Sequence, residues 1–109
     1  MDANTPRIGL IGLGYWGRNL FRNLSDMGVL AAACDTAPGT VAEFAARAPG
    51  VQFYGSADEI IGASDLAAVA VATPAATHYA LAKAALAAGK HVFVEKPLAL
   101  TVGEGEELA

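Results

Sequence analysis

The chain has 109 residues, is 54% hydrophobic and 17% charged, and carries a net charge of −4. That length allows one domain or part of one, and the apolar content suits a buried core and excludes a disordered chain. The acidic balance argues against nucleic acid or an anionic membrane as the main partner.

Residues 1–6 read as a short polar lead-in. They lack the basic region and apolar core of a signal peptide, so a cytoplasmic protein is expected. Arg7–Ile11 reads as a first strand, apolar enough to be buried on both faces. A helix is predicted from about Tyr15 to Met27, with Leu20, Leu24 and Met27 forming one stripe toward a sheet. Gly28 stands where a left-handed cap is wanted. Leu30–Cys34 reads as a second strand, with Asp35 at its tip. Thr40 is expected to cap a helix through about Arg47, burying Val41, Phe44 and Ala45, and Pro49-Gly50 ends it.

Val51–Tyr54 reads as a brief third strand. Ser56 and Glu59 have the spacing of a capping box and predict a short helix. Leu66–Ala72 is a continuous apolar run, expected to form a central fourth strand. Thr73-Pro74 then breaks regular structure. The Ala/Leu-rich segment from about Thr77 to Ala88 predicts a helix closed by Gly89. His91–Glu95 reads as a fifth strand, followed by Lys96-Pro97. Thr101 and Glu104 suggest one more capped helix start. No run is long enough for a membrane span, which needs about 20 apolar residues. The one cysteine, Cys34, excludes an internal disulfide and reads as a small buried hydrophobe, and no residues have metal-ligand spacing.

Strands alternate with helices throughout, which predicts the α/β class: a Rossmann-type, doubly wound parallel sheet with right-handed crossovers. Within it, Gly12-Leu-Gly14-Tyr-Trp-Gly17 matches G-x-G-x-x-G between a strand and a helix, and Asp35 follows 18 residues after Gly17. This context strengthens the motif as a dinucleotide signature, beside the simpler reading that the glycines only shape a tight βα turn. Gly12 allows the tight turn, Gly14 lets a pyrophosphate approach the backbone, and Gly17 lets the helix pack closely. The helix N-terminus offers N–H groups and partial positive charge to phosphates. Asp35 can accept hydrogen bonds from ribose hydroxyls and would repel the 2′-phosphate of NADP. Thr36-Ala37-Pro38-Gly39 brings no Arg to reverse that preference, so NAD is favoured over NADP. In parallel sheets the ligand lies beyond the strands' carboxyl ends. The glycine turn, Asp35, Thr73-Pro74 and Glu95-Lys96-Pro97 all fall there.

The series Thr73-Pro74, His78, Ala-Gly89-Lys-His-Val and Glu95-Lys96-Pro97, joined to the Gly-Tyr-Trp-Gly-Arg-Asn front, resembles the Gfo/Idh/MocA family of NAD(P)-dependent oxidoreductases. The Gly-Tyr-Trp-Gly-Arg-Asn variant is similar to members acting on nucleotide-linked sugars. The resemblance implies that Lys96 lies near the nicotinamide and the reacting carbon, assisting catalysis or orienting the substrate. It implies that Glu95, Thr73 and Pro74 line the cofactor groove and that His78 is close to the cofactor. It implies that Tyr15 and Trp16 sit against the pyrophosphate and nicotinamide end. The substrate class implied is a sugar, inositol or nucleotide-sugar hydroxyl or ketone, in a homo-oligomer when full length. Hydride transfer from an alcohol needs a group that shares the hydroxyl proton, and a desolvated lysine can do that or polarise the oxygen. Pro97 holds Lys96 out of the α region.

Family members carry a second α/β domain with an Asp/His pair. No residue here matches that pair, so residues 1–109 are expected to be a dinucleotide-binding domain, incomplete at its last strand and inactive alone. Simpler readings stand beside these. Asp35 could be a solvated strand end, Lys96 a surface lysine, and His78 an exposed helix residue. Trp16 and Tyr15 could pack against another domain. His91 reads as a strand-edge residue without a role. At the level of function, the alternatives are a non-catalytic dinucleotide-binding or sensing module and a methyltransferase-like domain. The third glycine and Glu95-Lys96-Pro97 argue against the latter.

Overall fold

The computed structural model describes residues 6–94. Five strands, β1 (Ile8–Ile11), β2 (Leu30–Cys34), β3 (Gln52–Tyr54), β4 (Ala68–Val71) and β5 (His91–Val94), alternate with helices. The helices are α1 (Tyr15–Asp26), α2 (Pro38–Arg47), α3 (Ala57–Ile61) and α4 (His78–Ala87), with a 3₁₀ turn at Ala75–Thr77 before α4. The strands form one sheet in the order β3-β2-β1-β4-β5, and every pair is parallel. The chain reverses its direction of winding at β1, so the crevice beyond β1 is flanked by β2 on one side and β4 on the other. This is the Rossmann-type α/β architecture, and it places a ligand site at that reversal.

Parallel strands covered on both faces must be apolar on both, and β2 is buried at all five positions. Alternate residues feed two cores. Leu10, Ala33 and Ala70 pack with Leu13, Phe21 and Phe44 under α1 and α2. Ile11, Ala32, Cys34, Val69 and Val71 pack with Ile60, Ile61 and Ala85 under α3 and α4. Phe21 meets Phe44 edge-on, with ring centroids 4.7 Å apart. Arg18 and Arg47 each lie over the Phe44 ring, and both bond Glu43. The Arg18 hydrogen bond, then its charge, holds the Glu43 carboxyl below the usual range.

Several expectations need correction. The buried stripe of α1 runs through Phe21, with Leu20 and Leu24 half-buried beside it. Met27 falls past the helix end, caps it through its backbone and is 69% exposed. Thr40 does not cap α2; the helix starts at Pro38, whose missing N–H costs nothing in a first turn. Ser56 is the N-cap residue of α3, but its hydroxyl bonds the Glu59 carboxylate and not the backbone, so the capping box does not form. Leu66 is buried yet precedes β4, because its N–H turns back to the Ala63 carbonyl. The α4 helix begins at His78 after the 3₁₀ turn, one residue later than expected. Gly28 and Gly89 do take positive φ at the helix ends, as their positions predict. The fifth strand is described to Val94; Glu95, Lys96, Pro97 and the Thr101/Glu104 helix start lie outside the described residues.

Candidate functional site

A cavity of about 570 Å³ opens at the carboxyl ends of β1, β2, β3 and β4. Its floor is the glycine turn. Gly12 has φ +101°, and a Cβ there would sit 2.9 Å from the Ala72 carbonyl carbon and oxygen. The turn therefore needs glycine for both its dihedral and its fit against the end of β4. Gly12 N–H donates to the Cys34 carbonyl at 2.9 Å, tying the turn to β2. Gly14 faces the cavity, and a Cβ there would meet nothing within 4 Å. The fold itself does not demand glycine at that position, so its bare backbone leaves room for a ligand. At Gly17 the reverse holds. A Cβ there would run into the Gly12 carbonyl oxygen, so this glycine brings α1 onto the turn. No side chain caps the first turn of α1, which starts at the cavity floor.

Asp35 forms one wall. Its Oδ2 accepts the Leu13 N–H at 2.8 Å and its Oδ1 accepts the Ala37 N–H at 2.9 Å. One carboxylate thus ties the glycine turn to the start of α2, and each oxygen retains lone-pair capacity toward the cavity. Asp35 is half-buried at the strand end, with both oxygens hydrogen-bonded.

Thr73 and Pro74 form the facing wall, with Thr77, Ala80 and Leu81 continuing it along α4. The Thr77 hydroxyl donates to the Pro74 carbonyl at 2.7 Å and contacts the Thr73 hydroxyl at 2.5 Å. His78 is 2% exposed, which overturns its reading as an exposed helix residue. Its Nε2 lies 2.8 Å from the Thr73 carbonyl. A carbonyl can only accept, so Nε2 carries the hydrogen. His78 does not line the cavity and stands behind Thr73. Trp16 is 59% exposed and outside the cavity wall, and the side chain of Tyr15 lies outside what the structure describes. Of the residues singled out by sequence, the cavity thus gathers Gly12, Gly14, Asp35, Thr73 and Pro74, with Gly17 buttressing the floor.

Sequence reasoning missed the remaining wall: Ile11, Cys34, Thr36, Gly55, Ser56, Ala57, Ala72, Thr77, Ala80 and Leu81. Gly55 and Ser56 directly follow β3, and the rule that ligands lie beyond strand carboxyl ends would have found them. Thr77, Ala80 and Leu81 share a helix face by their spacing. Burial pushes the Cys34 thiol up to about 11, so it presents a neutral sulfur to the cavity floor. Among the described residues no Arg, Lys or His lines the cavity. No group of three or more metal-ligating side chains exists among them either. A second groove of about 350 Å³ lies between α1 and α2 and shares no lining residue with the first.

The oxidoreductase family model GFO_IDH_MocA, described by an NAD-binding Rossmann fold, matches residues 6–109. The inositol 2-dehydrogenase of Cereibacter sphaeroides is 46% identical over 99 residues, 87% of this chain and 29% of that protein. The WlbA dehydrogenase from Chromobacterium violaceum, solved with NADH and UDP-GlcNAcA, superposes with a TM-score of 0.87 at 26% identity, covering 99% of this chain and 32% of the other. Biliverdin reductase from Synechocystis sp. PCC 6803, solved with biliverdin and NADP⁺, gives a TM-score of 0.86 at 34% identity over 94% of this chain and 33% of the other. This chain thus spans about a third of the length of these relatives.

Proposed function

The chain belongs to the Gfo/Idh/MocA oxidoreductase family, with its NAD-binding Rossmann fold, and from that premise we propose that it holds NAD for hydride exchange with a sugar, inositol or nucleotide-sugar carbon. The observation that carries this reading is the distribution of donors and acceptors around the cavity. The backbone turn at Gly14 is open to a phosphate, and it is flanked by the Asp35 carboxylate and the Thr73 hydroxyl. A dinucleotide has the matching pattern, an anionic pyrophosphate between two hydroxyl-bearing riboses. Ile11, Ala57 and Leu81 add apolar wall suited to a flat ring.

NAD is favoured over NADP because Asp35 would face a 2′-phosphate and no cation among the described lining residues would neutralise it. The NADP⁺-bound relative marks NADP as the competing cofactor. When bound, the nicotinamide supplies the hydride acceptor or donor. The chain's own residues bind and orient it: the glycine turn receives the pyrophosphate, Asp35 a ribose, and Thr73-Pro74 the opposite side. Lys96 is proposed to share or move the substrate hydroxyl proton, with Glu95 beside the cofactor. The relatives named inositol 2-dehydrogenase and WlbA, the latter with its UDP-sugar ligand, support the substrate class. A cytoplasmic homo-oligomer belongs to the same proposal, and among the described residues no helix is long and apolar enough to cross a membrane.

The test is a titration of NADH and NADPH against the intact protein and its Gly14→Val variant. Tighter NADH than NADPH binding, lost in the variant, is expected. Equal NADH affinity of both proteins would sink the cofactor assignment. Lys96→Met in the same protein should cut turnover far more than NADH affinity, and unchanged turnover would remove Lys96 from its role.

A further inference from the structure

The Thr73–Thr77 pair has a fixed hydrogen-bond direction. Thr77 has one hydroxyl hydrogen. The Pro74 carbonyl, 2.7 Å away, can only accept and therefore takes it. The contact between the Thr77 and Thr73 hydroxyls must then be donated by Thr73. With both hydrogens committed, the two hydroxyls present only lone pairs to the cavity they line. Thr77 is the N-cap residue of α4, yet its side chain makes no capping bond and is directed backward to Pro74. His78 holds the other side of the same loop through the Thr73 carbonyl, from a buried position.

We propose that Thr77 is a positioning residue that fixes Thr73 as a hydrogen-bond acceptor for a donor on the bound dinucleotide, a ribose hydroxyl on the side of the glycine turn opposite Asp35. The side follows from strand order. Asp35 ends β2 and Thr73 follows β4, with β1 and its glycine turn between them. A dinucleotide laid across β1 puts one ribose toward each. Both walls then present acceptors, the carboxylate on one side and the threonine lone pairs on the other, while the turn between them presents backbone N–H groups. A 2′-phosphate or a carboxylate at the Thr73 side would find no hydrogen offered there, so the pair selects for hydroxyl donors. This inference rests on the cofactor reading given above.

The experiment measures NADH dissociation constants for the intact protein and for Thr77→Ser, Thr77→Val, Thr73→Val and the double variant Thr73→Val/Thr77→Val, with melting temperatures alongside. Thr77→Ser keeps the donor and should bind within about two-fold of the natural protein. Thr77→Val releases the Thr73 hydrogen and should weaken NADH by roughly 3- to 10-fold, the size of one net hydrogen bond. Because Thr77 acts through Thr73, the double variant should bind no more weakly than Thr73→Val alone. A purely structural Thr77 would instead give additive losses, and that result would overturn the inference. NADH binding by Thr77→Val at natural affinity would overturn it too, while leaving the cofactor reading intact. Absence of NADH binding by the natural protein would defeat the cofactor reading and this inference with it.

Discussion

At the scale of single residues, the three motif glycines do different things, and the difference can be measured. A Cβ at Gly14 meets nothing in the protein, whereas one at Gly17 meets the Gly12 carbonyl oxygen. Gly14→Ala should leave the melting temperature nearly unchanged and weaken NADH binding. Gly17→Ala should cost at least about 2 kcal/mol, because the obstacle is backbone that cannot swing aside. Chemical denaturation and an NADH titration on both variants separate the two effects. Asp35→Ala should lose on both counts. It leaves the Leu13 and Ala37 N–H groups without their acceptor, costing about 1–3 kcal/mol, and it removes the repulsion against NADP. Stability and the NADH/NADPH affinity ratio should therefore fall together. Cys34 gives a pH signature. Its folded pKa is raised by burial, so the native state holds the proton more tightly than the unfolded chain. Its contribution is complete below pH about 9 and is lost as pH rises toward about 11, on the order of 2 kcal/mol in all. Cys34→Ala should flatten that alkaline decline in a denaturation series.

At the scale of elements, the ends of the strands away from the cavity are held by a residue outside the cavity wall. Lys90, just before β5, is 7% exposed and donates from Nζ to the Ala63 and Leu66 carbonyls at 2.6 and 2.9 Å. It bolts the turn between α3 and β4 to the start of β5. Lys90→Met keeps the apolar stem but removes the Nζ donor from both carbonyls, of which Ala63 keeps the 3.3 Å bond from the Leu66 N–H; the expected loss is about 1–3 kcal/mol with NADH affinity unchanged. A change in affinity as large as the change in stability would contradict the separation of these two ends. Gly9 shows the same logic in β1. A Cβ there would lie 2.7 Å from Ile60 Cγ2 and 2.9 Å from Leu66 Cδ1, so α3 rests directly on the strand. Element boundaries deviated from expectation where tertiary contacts outweighed local signals. Met27 fits a helical period but is the C-cap residue of α1, and Phe21, one position from the expected stripe, takes the core place against Phe44 and Phe53.

At the scale of the whole molecule, the described sheet ends at β5, which pairs with β4 on one side. Phe93 on that strand is 54% exposed, and Leu86 on α4 is 45% exposed. Exposed apolar side chains of this size favour association with another chain. The isolated 109-residue chain should therefore self-associate with rising concentration in sedimentation experiments, and Phe93→Lys should reduce it. A monomer at all concentrations would remove that edge as a cause.

The class of fold, the parallel sheet and the glycine turn are legible in the amino-acid order, because a two-sided apolar strand and a G-x-G-x-x-G turn each have few physical solutions. Asp35, Thr73 and Pro74 are likewise placed on the cavity side by the sequence, since strand ends in such sheets face one crevice. The use each side chain makes of its hydrogens is legible only in the packing. Asp35 bonds Leu13, which lies 22 residues away in the chain. His78 turns inward to the Thr73 carbonyl, and Thr77 donates to Pro74 and leaves its helix uncapped. Spacing along a chain names the residues that can meet. Only their packing fixes which lone pairs and hydrogens remain for a ligand.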